Sequence, residues 1–531
     1  MQSAQPSPRA PRAAGVLQAA FLVTVLTLVV KGLGFAEKLL LAYFFGTGHE
    51  VDAYLVAYSI PFSAFIVLRD VVEPAFLPVF LTAERREEGL AWRLFSTTGL
   101  LLVLLMGGLT AAGVSLAQPL IALAAPGFGA EQRVLAVRLL RVVMPALLFL
   151  SASSLTTAVL HAKKRFGLPA AAEACFRAGS LLLLAMTGGV AGTAVGMAVG
   201  AMGKLLLEVL GLRRHLARPR PCIDLKGPVR QVGRLGAPLL AALALSLFVA
   251  PLVENAFASR LGVGSVAALA YSRKIAETLT TIVPYALGLV LLPFSAEMAA
   301  RQDAEGLALM LTRALRGLVL LFAPVTVGLL VLREPFVRLL LERGAFSAAS
   351  TELTAQPLLF YALALLPFGL EIIIIQFFFA RQDTMTPVLA DVVSFVLNIA
   401  LIPLLLQGIG LGGIALAAAL AKAAKVFTLL ILFGRKVPAF RLPALGRFGC
   451  KVSIASLTAT AALLAWVRLA GAAASAGGLA VLAVYLFVGG LLAGGVFLLA
   501  VHLLGVEEPA NAWRLAWRWC HARRGRAAGR G

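Results

Sequence analysis

Charged side chains set inside long apolar runs are the residues of this sequence best able to do chemistry. VKGLGFAEKLLLAYFF carries Lys31, Glu37 and Lys38, and SIPFSAFIVLRDVVEPAF carries Arg69, Asp70 and Glu73. Asp52 follows the GTGH turn that joins these two runs, and YSRKIAE (271–277) adds Arg273, Lys274 and Glu277. On helices, Lys31 and Lys38 share a face, while Arg69 and Glu73, like Arg273 and Glu277, are four apart and predicted to pair. Charge at bilayer depth is costly, so it faces a bundle interior or a watery cavity. Gathered in one cavity, Lys31, Lys38, Arg69, Arg273 and Lys274 would suit an anionic substrate such as a diphosphate. Glu37, Asp52, Asp70, Glu73 and Glu277 would be the opposing acids. The competing reading is structural ion pairs.

A second constellation suggests a coupling cation. Asp391, Ser394 and Asn398 in VLADVVSFVLNIALI stand at i, i+3 and i+7, on one narrow face of a helix. Glu254 and Asn255 lie in another apolar run, LFVAPLVENAF. Both helices are expected in the second lobe, where two carboxylates with amide and hydroxyl oxygens would suit Na⁺ or a shared proton. The alternative is a polar seam joining helices by side-chain hydrogen bonds.

The elements that position these residues follow from composition. Of 531 residues 60% are hydrophobic and 14% charged, with a mean hydropathy of +0.93. No soluble domain of this size could cover its core with so little polar surface. Repeated apolar runs, without barrel-type alternation, make the class an all-α polytopic membrane protein. Cys175, Cys222, Cys450 and Cys520 show no metal spacing, and no HExxH, GxSxG or P-loop pattern occurs. The sequence therefore offers no case for an enzyme, a metal or a bound cofactor.

About fourteen spans are expected, near 15–45, 50–81, 94–120, 134–160, 168–187, 191–212, 233–258, 264–298, 314–341, 353–380, 386–407, 410–433, 448–470 and 477–505. With both ends cytoplasmic, the inside segments hold about 30 basic residues against roughly six outside. That asymmetry explains most of the net charge of +22, and contact with anionic lipids suffices where nucleic acid would otherwise be invoked. AYS (57–59) before FLPVFLTAE (76–84) is echoed by AYS (270–272) before LLPFSAE (291–297), at an offset of roughly 215 residues. An offset of six spans makes parallel repeats. The expected organisation is a tail (1–14), an N-lobe (15–212), a cytoplasmic linker (213–232), a C-lobe (233–433), a terminal helix pair (434–505) and a basic amphipathic tail (506–531). Trp513 and Trp517 would anchor that last tail at the inner surface. Prolines inside the spans, among them Pro61, Pro74, Pro145, Pro238, Pro251, Pro284, Pro324, Pro367 and Pro403, predict bent helices.

GLGFAEKLLLAYFFG, VDAYLVAYSIP, AFLPVF, LLLERGAFSAASTELTAQPL (339–358) and FFFARQDTMTPV (377–388), in this order, resemble the MurJ (MviN) family of lipid II flippases of the multidrug/oligosaccharidyl-lipid/polysaccharide exporter superfamily. The resemblance implies two six-helix lobes around a central cavity, alternating access, a bacterial cytoplasmic membrane and a polyprenyl-diphosphate-linked saccharide as cargo. It implies family roles for Asp52, Lys274 and Glu277. Against the family's Ser-Arg-x-x-Gly-Phe-x-Arg, Lys31 keeps the first charge, Glu37 reverses the second, and Lys38 stands one place on. Against Pro-Asn-x-x-Arg-Arg, the chain has Phe62, Phe65 and Ile66 after Pro61. Two other readings remain. A cation-coupled exporter of the MATE type would want an acidic cavity, which the Lys/Arg excess disfavours. A degenerate flippase serving as a scaffold for cell-envelope enzymes would account for the missing arginines.

Overall fold

The apolar runs are helices in the computed structural model, which describes residues 13–216 and 227–506. No strand occurs among the described residues. Close Cα approaches divide the chain into two compact units, Met1–Arg260 and Leu261–Gly531. Eleven helices among the described residues are long and apolar enough to cross a membrane, or twelve if the bent helix Ser265–Ala300 counts as one. The other two expected spans fall on helix Ala13–Phe45 and on the broken helix Pro228–Ser259. Large apolar side chains such as Leu104, Leu105, Leu469 and Phe487 stand fully outward, as lipid contact requires. The chain is a multi-pass membrane protein. The expected anchors Trp513 and Trp517 lie outside the described residues.

In the first unit, α1 (Ala13–Phe45) packs on α6 (Gly167–Thr187), and α6 packs on α7 (Val190–Leu216). α7 packs on α5 (Ala130–Ala162), and α5 on α2 (His49–Arg86) and α3 (Glu88–Ser115). A short helix, α4 (Ala117–Ala124), follows α3. Small residues allow the tightest of these contacts. A Cβ on Gly200 of α7 would lie 2.5 Å from the Phe176 carbonyl oxygen of α6, so nothing larger than glycine fits without moving backbone.

The seventh span is α8 (Pro228–Leu243), a π-helical stretch (Ala244–Val249) and α9 (Ala250–Ser259). The widened stretch ends just before Pro251, whose ring cannot donate to, and clashes with, the carbonyl four residues back. This span packs on α2 and groups with the first unit, whereas the sequence reading opened the second lobe at residue 233.

The second unit repeats the packing order. α10 (Ser265–Ala300) packs on α12 (Ala348–Ala380), α12 on α11 (Ala304–Leu341) and α14 (Leu411–Lys436), and α14 on α13 (Met385–Ile409). The pair α15 (Leu442–Ala476) and α16 (Leu479–Leu503) leans on α11. α11 kinks at Leu332 (φ −101°, ψ 18°), one turn before Pro335. The tight turns after α6 and α13 each use a glycine at positive φ, Gly188 (59°) and Gly410 (62°). A different corner, Arg-Gln-Asp, is used twice. Gln302 and Gln382 are left-handed (φ 57° and 59°), and the following Asp303 and Asp383 accept from the backbone N–H groups of Gly306 and Thr386. Each aspartate thus satisfies a free N–H of the next helix.

Candidate functional site

The charged residues of the first unit meet on one seam of α1, α2, α6 and α7. On α2, Tyr54, Tyr58, Phe62 and Phe65 follow the helical period and form a row of neighbouring rings, Tyr58 and Phe62 stacked at 4.7 Å. Cations stand over this row. Lys38 of α1 lies 5.4 Å from the Tyr58 ring centre, and Arg177 of α6 lies 5.2 Å from Phe62. Arg69 of α2 itself lies 5.9 Å from Phe65, and Lys204 of α7 lies 5.7 Å from it. Such contacts are each worth about 0.5–2 kcal/mol, more where water is excluded. An ion chain runs behind the rings. The buried Glu37 stands 3.7 Å from Arg177, Arg177 is 3.9 Å from Glu173, and Lys204 donates to Glu173 at 2.6 Å. Two acids and two bases make that chain neutral. Lys31 is exposed on α1. Asp52 is fully buried in the first turn of α2, where the helix dipole favours a carboxylate.

Two expected i,i+4 pairs do not form. Arg69 pairs with its neighbour Asp70 at 2.9 Å, and Glu73 takes His161 of α5 at 2.6 Å. α5 packs closely on α2, so its imidazole is a nearer partner than the next turn of the same helix. In the second unit, Arg273 donates to the Tyr361 phenol at 3.0 and 3.2 Å, while Glu277 is exposed. Lys274 is half-buried beside it.

The coupling-cation constellation is also rearranged. Asp391 of α13 carries the ammonium of Lys425 from α14. Lys425 also reaches Glu371 of α12, which takes Lys422 at 2.8 Å as well. The face expected to hold a hard cation therefore holds a lysine. The Ser394 hydroxyl donates to the Ala421 carbonyl at 3.0 Å, and Asn398 is buried on the same helix. Glu254 is buried on α9, where Asn255 donates to Ser59 of α2 at 3.0 Å. Because α9 groups with the first unit, Glu254 and Asp391 do not share a lobe as expected.

Sequence reasoning missed Glu173, Arg177, Lys204, Glu208, Glu371, Lys422 and Lys425. Their signal was the one used elsewhere, charge within an apolar run. Glu173–Arg177 and Lys204–Glu208 even repeat the i,i+4 spacing. Glu208 is fully buried and accepts hydroxyl hydrogen bonds from Ser153, Thr156 and Thr157 of α5.

Comparison with known proteins places this arrangement. The family model described as "Lipid II flippase MurJ" matches residues 41–481. A "Probable lipid II flippase MurJ" of Bdellovibrio bacteriovorus is 27% identical over 518 residues, covering 94% of this chain and 97% of that protein. The "Lipid II flippase MurJ" of Burkholderia cenocepacia is 27% identical over 388 residues, covering 70% and 75%. Among solved structures, a lipid II flippase MurJ in an inward closed conformation aligns with TM-score 0.77 at 21% identity, over 91% of this chain and 98% of that one. An inward-facing MATE family multidrug transporter aligns with TM-score 0.67 at 12% identity, over 77% and 94%.

Proposed function

This chain belongs to the family of MurJ lipid II flippases, and from that premise we propose that it carries a polyprenyl-diphosphate-linked saccharide, lipid II, from the inner to the outer leaflet of a bacterial cytoplasmic membrane by alternating access. Both termini are cytoplasmic in this reading. The match of the family model across residues 41–481 carries it.

The chemistry of the first unit supports it. A diphosphate needs cations, and an apolar tail needs them set in an otherwise apolar wall. The residues at the positions of the family's Asn and first Arg on α2 are Phe62 and Phe65, and cations reach these rings from elsewhere. Arg177 stands over Phe62, and Arg69 and Lys204 stand over Phe65. Arg177 of α6 and Lys204 of α7, with Arg69 one turn further along α2, would thereby take the place of the family's α2 arginines. Lys31 and Lys38 on α1 add charge from the same unit, and Arg273 and Lys274 serve the second.

The test is complementation. Expression in a strain depleted of its own peptidoglycan flippase should restore growth and lipid II exposure on the outer leaflet, and Lys38→Ala with Arg177→Gln should abolish rescue at equal membrane abundance. Rescue of a capsule-export mutant in its place would move the cargo to another glycolipid. Failure in both, with cell-envelope synthesis enzymes still co-purifying, would favour the scaffold.

A further inference from the structure

The end of α11 brings charge of both signs into one cavity. VLREPFVRLLLER (331–343) sets bases beside acids on an otherwise apolar helix. The kink at Leu332 and the missing N–H of Pro335 interrupt the helix, and Arg333 donates to the Leu330 carbonyl at 2.8 Å. Arg333 stands 3.9 Å from Glu334, beyond hydrogen-bond length, so further N–H groups of its guanidinium remain to be met. Arg338 stands 3.5 Å from Glu342, which also accepts from Thr351 of α12 at 2.6 Å. Glu352, the next residue of α12, is exposed and belongs to none of the ion pairs of the described residues. These two guanidinium groups and three carboxylates line a cavity of about 700 Å³ within the second unit. Small-ligand sites span about 300–1,000 Å³. A metal ion does not suit it, because among the described residues no three acidic, His or Cys side chains converge as ligands.

The opposite wall is apolar. Val467 and Gly471 of α15 and Leu482 and Tyr485 of α16 form it. Trp466 stacks on Tyr485 at 5.7 Å, its indole N–H donates to the Tyr485 carbonyl at 3.3 Å, and Arg468 beside them is exposed. A Trp–Tyr pair next to an exposed charge marks the level where acyl chains give way to headgroups. Leu469, Val481 and Val484, neighbours in sequence of the wall residues, are exposed, so α15 and α16 present lipid-facing side chains beside the cavity.

We propose that this cavity binds the headgroup of a zwitterionic phospholipid, phosphatidylethanolamine. The phosphate accepts from Arg333 and Arg338, and the primary ammonium donates to Glu352 and Glu334. Both charges of the headgroup are then met at the bilayer edge, with the acyl chains along α15 and α16. A choline headgroup carries the same two charges but has no N–H to give the acids. A glycerol headgroup brings them no cation.

The site lies within one unit and its test needs no cargo. Headgroup-tritiated phosphatidylethanolamine should bind saturably to the purified full-length protein in detergent micelles. Its affinity should exceed that of phosphatidylcholine about tenfold, the worth of one charge-assisted hydrogen bond. Glu334→Gln with Glu352→Gln should abolish that preference and leave phosphatidylcholine binding as it was. Both side chains are exposed, so these variants should fold. Arg333→Gln should weaken both lipids alike through the phosphate they share. Equal affinity of wild type for the two lipids would mean an unselective lipid annulus and overturn the site. So would a preference that survives the double glutamate variant, or an Arg333→Gln protein that binds both lipids unchanged.

Discussion

The two units carry polar knots at matching places. Glu173 and Asp391 are each the seventh residue of their helices, α6 and α13, and Lys204 and Lys425 are each the fifteenth of α7 and α14. Both pairs are joined, Glu173 to Lys204 and Asp391 to Lys425. Ser153 and Glu371 are each the twenty-fourth residue of α5 and α12. Here the units part. A serine in the first unit faces Glu208, whereas a glutamate in the second faces two lysines. The helix-to-helix ion pair is the shared scaffold, since it fixes α6 to α7 and α13 to α14 where hydrophobicity gives no register. The third position is free to diverge, and its divergence changes the charge count.

Breaking the lysines tests how much each knot bears. Lys425 serves two acids and is itself buried, so Lys425→Met breaks two contacts and strands Asp391, although Glu371 keeps Lys422, and it should destabilise by about 5 kcal/mol, at the upper end for a broken buried pair. Thermal unfolding of purified protein should show it as the larger loss of the two. Lys204→Met leaves Glu173 with Arg177 alone, at 3.9 Å, and should cost about 3 kcal/mol, with Glu173→Gln restoring part of it. A double-mutant cycle over Lys204 and Glu173 should return a coupling of about 1–3 kcal/mol. Equal losses in the two lysine variants would mean the knots are energetically alike.

Packing at the same joints offers a finer contrast. Gly200 and Ala421 are each the eleventh residue of α7 and α14. The first joint has no room for a methyl group, while the second already contains one and adds the Ser394–Ala421 hydrogen bond. Gly200→Ala should therefore destabilise by about 1–3 kcal/mol through overpacking. Ala421→Gly should cost about 1 kcal/mol from helix propensity. Reversed magnitudes in the unfolding midpoints would show that the α6–α7 approach is not backbone-limited.

The smallest effect is at the second unit's membrane-edge corner. Burial works to raise the Asp383 carboxyl, but hydrogen bonds from Lys436 and Thr386 outweigh it and hold the group below the usual aspartate range. A carboxyl lowered on folding stabilises above its unfolded pKa of about 3.9 and loses that contribution as pH falls through its folded value. Asp383→Asn should thus lower stability slightly at neutral pH, and the difference from wild type should shrink as pH falls below about 3.9 and vanish once pH has passed the lowered folded value. A difference that persists in acid would mean that the cap, not the charge, is what matters there.

The helices were legible because each is an apolar run closed by a turn, and hydropathy alone marks them. The packing repeat was legible at motif level, from AYS and the Glu84 and Glu297 stretches. The seventh span was not, since nothing in LFVAPLVENAF says which neighbour its faces prefer. Pairings failed for a related reason. Spacing along α2 offered Arg69 to Glu73, but the choice was made by His161, 88 residues away. Asp391 read as a cation ligand because its own helix carries no base, while Lys425 arrives from the next one.

The charge count of each knot has an electrical consequence. Glu371, Asp391, Lys422 and Lys425 sum to zero, so shifting them together through the bilayer field does no net work, whatever the membrane voltage. Removing one of its lysines would leave an unmatched elementary charge. Carrying one such charge across the full membrane at 100 mV involves about 2.3 kcal/mol. Displacement of α12, α13 and α14 along the field is therefore indifferent to voltage at this knot, and would become voltage-dependent in Lys425→Met.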